Sequence, residues 1–311
     1  MPKNSLKSQA SEASTESKKR FISSAYKNFF IFCSGAGHLA KGLRKKINNS
    51  QFIFPDKNKD GRRLFVDGEV YVKIQGLEKL KKGRVIVLQS GMPEPNSSLI
   101  ELEMVLEILK DKSISPEIFF TYFPYGRQDK VFEPGETSVA ESLIKKFVNY
   151  YKVRKIYIID PHFGERPWIK KYPIISISAT PLLVKKAKED WGKDILCLSP
   201  DKGGQRRTGI KGLSKERINS FKVRHFAPKI LVKGRKTAVV DDLISTGGTL
   251  LKCHDTLKRG GARQTIALVS HGVLADGILK IKKRFKKLYL TNTINQKTAN
   301  VDITNLIAGA L

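Results

Sequence analysis

Short apolar runs alternate with longer segments of helical spacing along most of this chain. Residues 29–33, 84–89, 118–123, 155–159, 174–177, 195–199, 238–240, 265–269 and 287–291 are compact apolar runs, the pattern of strands buried on both faces. Between them, 38–47, 98–110, 139–150, 180–190, 250–258 and 274–282 read as helices. Leu99, Leu102, Val105, Leu106, Ile108 and Leu109, for example, fall at helical spacing. Residues 62–72 read as two strand segments around Asp67-Gly68, a hairpin signal, and 221–225 as an edge or hairpin segment. A helix is predicted within 205–216 despite Gly209 and Gly212. Residues 1–19, rich in Ser, Lys, Ala and Glu without apolar period, predict a disordered tail.

Strands alternating with helices predict the α/β class, with two tandem domains, each a mostly parallel sheet flanked by helices. A strand–small loop–helix unit occurs at 31–47 and again at 238–257, which suggests a duplicated fold with a site in the cleft between the copies. The expected boundaries are a basic tail over 1–24, an N-terminal domain over 25–168 and a C-terminal domain over 169–311.

Charge widens the picture. Lys and Arg number 58 against 29 Asp and Glu, a formal charge of +29. Such a balance suits polyanionic substrates such as nucleotides as well as nucleic acid or membrane surfaces. The basic residues are spread along the chain without interleaved aromatics, which argues against a dedicated nucleic-acid module. Cys33, Cys197 and Cys253 stand far apart with no Cys-x-x-Cys, so a reducing cytoplasm is expected and a Cys-based metal site is not. No apolar run approaches the ~18–20 residues of a membrane span, and no signal-peptide core opens the sequence.

Candidate chemistry gathers where the strands end. The run 238–240 leads into Asp241 and Asp242, then the loop Ser245-Thr246-Gly247-Gly248-Thr249, then a helix from Leu250. Loop N–H groups and a helix N-terminus bind phosphate. The two carboxylates can accept hydrogen bonds from sugar hydroxyls or approach Mg²⁺. An ordinary strand–turn–helix, with Gly for backbone freedom, is the alternative. Other strand ends carry Arg127 with Gln128, Asp160 with His162, and Asp201. Open α/β sheets bind ligands at those carboxyl ends. The mixture of cations, carboxylates and one imidazole suits a phosphate-bearing nucleotide, Mg²⁺ and a sugar phosphate together. His38, His225, His254 and His271 read as structural, and Trp168 and Trp191 as packing.

At these motifs the chain resembles the ribose-phosphate diphosphokinases, or PRPP synthetases. Pro124-Tyr125-Gly126-Arg127-Gln128-Asp129-Lys130 is similar to that family's Pro-Tyr-Ala-Arg-Gln-Asp-Lys signature, and Asp160-Pro161-His162 to its Asp-x-His metal motif. Pro200-Asp201-Lys202-Gly203-Gly204 resembles its Pro-Asp-x-Gly-Gly loop, and Val240 to Thr249 its ribose-5-phosphate loop. Phe65-Val66-Asp67-Gly68-Glu69 resembles its Phe-Ser-Asp-Gly-Glu hairpin, and Lys222-Val223-Arg224 its catalytic Lys-x-Arg.

The resemblance implies two tandem phosphoribosyltransferase-like domains, the first on the ATP side and the second on the ribose-5-phosphate side. It implies transfer of the pyrophosphoryl group of ATP to the C1 hydroxyl of ribose 5-phosphate, giving PRPP and AMP, with Mg²⁺ as cofactor. By the same resemblance, Lys222 and Arg224 are catalytic and His162 and Asp201, with Asp160 nearby, serve the metal. Phe65, Asp67, Glu69, Arg127 and Gln128 bind ATP. Asp241, Asp242, Ser245, Thr246, Gly247, Gly248 and Thr249 bind ribose 5-phosphate. The adenine site is shared across a subunit interface in this family, which implies a homo-oligomer. After Lys130 the chain reads Val-Phe-Glu-Pro-Gly-Glu-Thr-Ser, which looks more like the archaeal branch than the common bacterial one. The rival readings are a phosphoribosyltransferase that consumes PRPP, which needs no Arg-Gln-Asp-Lys or Asp-x-His element, and a non-catalytic regulatory homologue.

Overall fold

The computed structural model describes residues 28–217, 223–226 and 232–311. Its strands are β1 (Asn28–Phe32), β2 (Ser50–Ile53), β3 (Arg84–Ser90), β4 (Glu117–Tyr122), β5 (Ile156–Ile159), β6 (Ile174–Ile177), β7 (Leu196–Leu198), β8 (Ser214–Arg217), β9 (Val223–Phe226), β10 (Lys236–Ile244), β11 (Gln264–Gly272) and β12 (Leu288–Leu290). Its helices are α1 (Ala40–Arg44), α2 (Leu77–Leu80), α3 (Pro95–Asp111), α4 (Val139–Asn149), α5 (Thr180–Trp191), α6 (Lys202–Thr208), α7 (Gly248–Arg259), α8 (Ala275–Arg284) and α9 (Thr304–Ala310). One sheet has the order β2-β1-β3-β4-β5-β6, a second β12-β11-β10-β7, and β8 pairs with β9 alone. Every pairing within the two large sheets is parallel.

The apolar runs become strands because both faces of each sheet are covered, so side chains of both parities find apolar neighbours. In β1, Phe29 and Ile31 pack with Leu102 and Val105 of α3 and Ile144 and Phe147 of α4. Phe30 and Phe32 instead join Leu39, Leu43 and Ile307. In the second sheet Val239 and Val269 meet Leu250 and Leu257 of α7 and Ile281 of α8, while Ala238, Val240 and Leu268 meet Leu183 and Ala187 of α5. The α/β architecture of parallel sheets flanked by helices is the one expected from the pattern.

The first sheet draws on distant parts of the chain. β6 adds to its edge beside β5. The C-terminal helix α9 also returns to it, where Ile303 and Ile307 pack with Leu39 and Leu43. Arg84 Nη1 donates to the carbonyl of Leu311 at 2.7 Å.

Three local readings differ from expectation. β10 does not end at Val240 but continues through the acidic pair to Ile244, because the ladder with the equally long β11 runs on through Asp241 and Leu243 and leaves its buried backbone groups paired. The helix expected within 205–216 is α6. It starts earlier, capped by Asp201, whose Oδ1 accepts from the Gly204 N–H at 2.8 Å, and it stops at Gly209, whose φ of +69° suits a glycine C-cap. The residues beyond it form β8, antiparallel to β9. The hairpin at 62–72 is reduced to one bridge, Leu64 to Val70, closed by Phe65 N–H donating to the Glu69 carbonyl at 2.8 Å. The tail over 1–24 lies outside the described residues. Among the described residues no helix is long and apolar enough to cross a membrane.

Candidate active site

The loops after β4 and β5 of the first sheet meet the carboxyl ends of β7 and β10 of the second around a cavity of about 330 Å³. Arg127 and His162 line it from the first sheet. Asp201, Asp241, Asp242 and the loop Ser245 to Thr249 line it from the second. Ten of the residues singled out by sequence therefore share one cavity.

Asp242 is its electrostatic centre. It is 3% exposed, and its Oδ2 accepts from His162 Nδ1 at 2.7 Å while Oδ1 accepts from Arg207 Nε at 2.9 Å. Burial opposes its ionisation, but the His162 hydrogen bond and the Arg207 charge prevail and hold its carboxyl below the usual range. The neighbouring Asp241 behaves in the opposite sense. Burial, and then the charge of Asp242, push its carboxyl well up, with Arg207 Nη2 a more distant 3.7 Å away. One acid of the pair is thus held ionised and the other grips its proton. With Nδ1 donating to Asp242, a neutral His162 presents its lone pair on Nε2.

Beside this pair the loop from Ser245 runs into the twelve-residue α7. The first N–H groups of that helix have no partner within it, and its dipole favours an anion at the same end. Gly247 opens the helix with φ +82°.

Arg207 was missed by sequence reasoning. In a chain with 58 basic residues, neither its type nor its spacing marks it. What marks it is position: its side chain is only 20% exposed and lies between Asp241 and Asp242, delivered by α6 six residues after Asp201.

Other predicted residues stand elsewhere. Asp160 does not line the cavity. Its Oδ2 accepts from the Ala179 N–H at 3.0 Å and from the Ser270 hydroxyl, and burial raises its carboxyl. It belongs to a buried polar seam between the two sheets. There His271 Nε2 donates to the Ile159 carbonyl at 3.1 Å, His271 Nδ1 lies 2.9 Å from Thr293 Oγ1, and Thr121 Oγ1 donates to the Thr293 carbonyl at 2.7 Å. His271 is buried, and burial lowers its pKa, so the ring is neutral. Its expected structural role fits that position. Gln128 contributes through its backbone, its carbonyl accepting from Ala140 N–H at 3.0 Å at the start of α4. Phe65, Asp67 and Glu69 sit on the exposed hairpin, outside the cavity. Arg224 lies in β9 opposite Glu216, and Lys222 lies outside the described residues. Among the described residues no group of three or more His, Cys, Asp or Glu side chains is arranged to hold a metal ion.

Residues 36–150 match the family model for the N-terminal domain of ribose phosphate pyrophosphokinase. The chain is 30% identical to the ribose-phosphate pyrophosphokinase of Pyrococcus abyssi over 294 residues, covering 90% of this chain and 97% of that one. It is likewise 30% identical to that of Burkholderia pseudomallei over 227 residues, 68% of this chain and 70% of that one. Its fold is similar to the crystal structure of phosphoribosylpyrophosphate synthetase from Mycobacterium smegmatis, with a TM-score of 0.76 at 23% identity over 91% of this chain and 97% of that one. A cavity that joins two parallel sheets, together with near full-length similarity at this level, means that this chain belongs to the ribose-phosphate pyrophosphokinase family.

Proposed function

We propose that the protein transfers the pyrophosphoryl group of ATP to ribose 5-phosphate, forming PRPP and AMP. The observation that carries this reading is the single cavity in which Arg127 and His162 of the first sheet face the acidic pair and the Ser245–Thr249 loop of the second. A consumer of PRPP needs only the second half. The C1 hydroxyl of ribose 5-phosphate attacks the β-phosphorus of ATP, the bond from that phosphorus to the α–β bridging oxygen breaks, and AMP departs. Such transfer depends on positioning and charge neutralisation more than on covalent chemistry.

In this reading the first domain, over 25–168, serves ATP and the second, over 169–311, serves ribose 5-phosphate. The loop N–H groups and the start of α7 hold the 5-phosphate. Asp242, with Asp241, orients the ribose hydroxyls. Arg127 and Arg207 balance phosphate charge across the cavity, and Gln128 steadies the loop that carries Arg127. Lys222 and Arg224 neutralise charge on the transferred group and the departing AMP.

The donor set fits Mg²⁺ that arrives with the nucleotide. Such an ion takes one or two protein ligands and fills its shell with waters and phosphate oxygens, so a cage of three or more side chains is not required. His162, through Nε2, and Asp201 would hold it. Asp160, committed to Ala179 and Ser270, would stand near the ion without ligating it. When bound, the metal supplies charge neutralisation at the phosphates.

The exposed hairpin with Phe65 at 43% and Val66 at 89% exposure suits a homo-oligomer in which Phe65, Asp67 and Glu69 reach the adenine of a neighbouring subunit. The free thiols of Cys33, Cys197 and Cys253 suit a reducing cytoplasm.

Purified protein given ribose 5-phosphate, ATP and Mg²⁺ should release AMP. No AMP across a range of phosphate concentrations would overturn the assignment. Lys222→Ala should lower kcat about 10³-fold, the scale of a cation that acts on transition-state charge, with the KM for ATP little changed. Turnover near that of the unmodified protein would remove Lys222 from the mechanism.

A further inference from the structure

The segment after β1 begins with the small residues Ser34 to Gly37, and the chain itself fills the space beside it. Glu101 of α3 is 1% exposed, and its carboxylate lies against that segment. The Ser34 N–H donates to Oε1 and Oε2, each at 3.1 Å, and the Ser34 hydroxyl donates to Oε2 at 2.5 Å. Gln89 Nε2, near the end of β3, donates to Oε2 at 3.3 Å. β1 and β3 are the neighbours at which the strand order of this sheet reverses, the place where open α/β sheets hold ligands.

The same oxygen reaches the hairpin. Arg63 Nη1 donates to Glu101 Oε2 at 3.3 Å, and Arg63 Nη2 donates to Glu94 at 2.9 Å. Arg63 is the root of the hairpin, since its carbonyl accepts from the Tyr71 N–H at 2.8 Å next to the Leu64–Val70 bridge. Phe65, Asp67 and Glu69 lie just beyond. A buried carboxylate is tolerated only with donors around it, so Glu101 fixes where the Arg63 guanidinium sits at the foot of the hairpin. α3 also touches the loop that bears Arg127, through the Tyr125 hydroxyl donating to Asn96 Oδ1.

We propose that Glu101 is a positioning residue for the nucleotide. It acts as a built-in anion in the loop after β1 and, through Arg63, sets the hairpin that contacts adenine. This inference rests on the reading of that hairpin as an ATP contact. Glu101 itself touches no substrate.

Steady-state kinetics of AMP release test it with four variants of the full chain. Glu101→Gln and Arg63→Gln should each raise the KM for ATP about tenfold, the conversion of one lost charge-assisted hydrogen bond, with kcat and the KM for ribose 5-phosphate within about twofold. The double variant should be no worse than the poorer single one, because the two residues act as one unit. Arg63 is partly exposed, so Arg63→Gln decides the matter if Glu101→Gln does not fold. Phe65→Ala isolates the underlying reading: an unchanged KM for ATP there overturns the hairpin assignment. A raised KM in Phe65→Ala beside an unchanged one in Arg63→Gln overturns the role of Glu101 alone. Both KM values rising together in Arg63→Gln also overturns it, since that is general loosening.

Discussion

Asp242→Asn should lower the initial rate of AMP formation by up to about 10²-fold, the scale seen when a carboxylate that orients a functional histidine is lost. The substitution keeps the shape and removes the charge. His162 Nδ1 then loses the carboxylate it donates to at 2.7 Å, and Arg207 Nε the one at 2.9 Å. The amide can turn only one oxygen to two donors, so one of them is left poorly paired in a buried place. Asp241→Asn should be milder, about tenfold or less. Asp241 is the acid whose proton affinity is raised, and an amide is a closer mimic of a protonated acid than of a carboxylate. Initial rates at saturating ATP and ribose 5-phosphate separate the two. Equal losses, or a rate near that of the unmodified protein for Asp242→Asn, would contradict the division of labour within the pair.

Gly277→Ala should reduce kcat/KM for ribose 5-phosphate by about 10²-fold while leaving the KM for ATP within about twofold, since a misplacement on the ångström scale carries a cost of that order. A Cβ at Gly277 would lie 1.8 Å from the carbonyl oxygen of Ser245. That oxygen is backbone at the start of the Ser245–Thr249 loop, so it cannot swing aside as a long side chain would. Either α8 retreats or the loop shifts. Gly247, in the middle of the loop, leans on the same spot, its own Cβ direction meeting the Gly277 carbonyl at 3.2 Å. Overpacking of this kind also lowers stability, typically by about 1–3 kcal/mol, so thermal unfolding should accompany the kinetics. Unchanged kcat/KM for ribose 5-phosphate would show that the loop tolerates the methyl group and that α8 does not set it.

The alternation of apolar runs and helical spacing was enough to read the parallel sheets, because strands covered on both faces need apolar side chains at every position. The motif residues at the strand ends were legible for a related reason: polar groups that follow a buried run must face something. What stayed hidden depends on pairing in space. The edge strand β2 has few apolar residues and is only half-buried, so its pattern is weak. The extension of β10 through Asp241 and Asp242 is decided by the length of β11, and two adjacent acids read as the end of a strand. Arg207 could not be separated from its many basic neighbours without knowing that it lies between two acids. Glu101 was the more accessible omission. It falls on the face of α3 that carries Leu102, Val105 and Leu109, and a carboxylate on an apolar face signals a buried partner.

The return of α9 to the first sheet bears on how the chain is made. Phe30, Phe32, Leu39 and Leu43 belong to the half translated first, yet the face they share is completed by Ile303 and Ile307. Between emergence of β6 and emergence of α9 the ribosome needs on the order of ten seconds at usual elongation rates. Through that interval Leu39 and Leu43 cover only part of the aromatic-rich face of the nascent first sheet, and the rest of its cover waits for α9. The half of the enzyme that is synthesised first is therefore finished last.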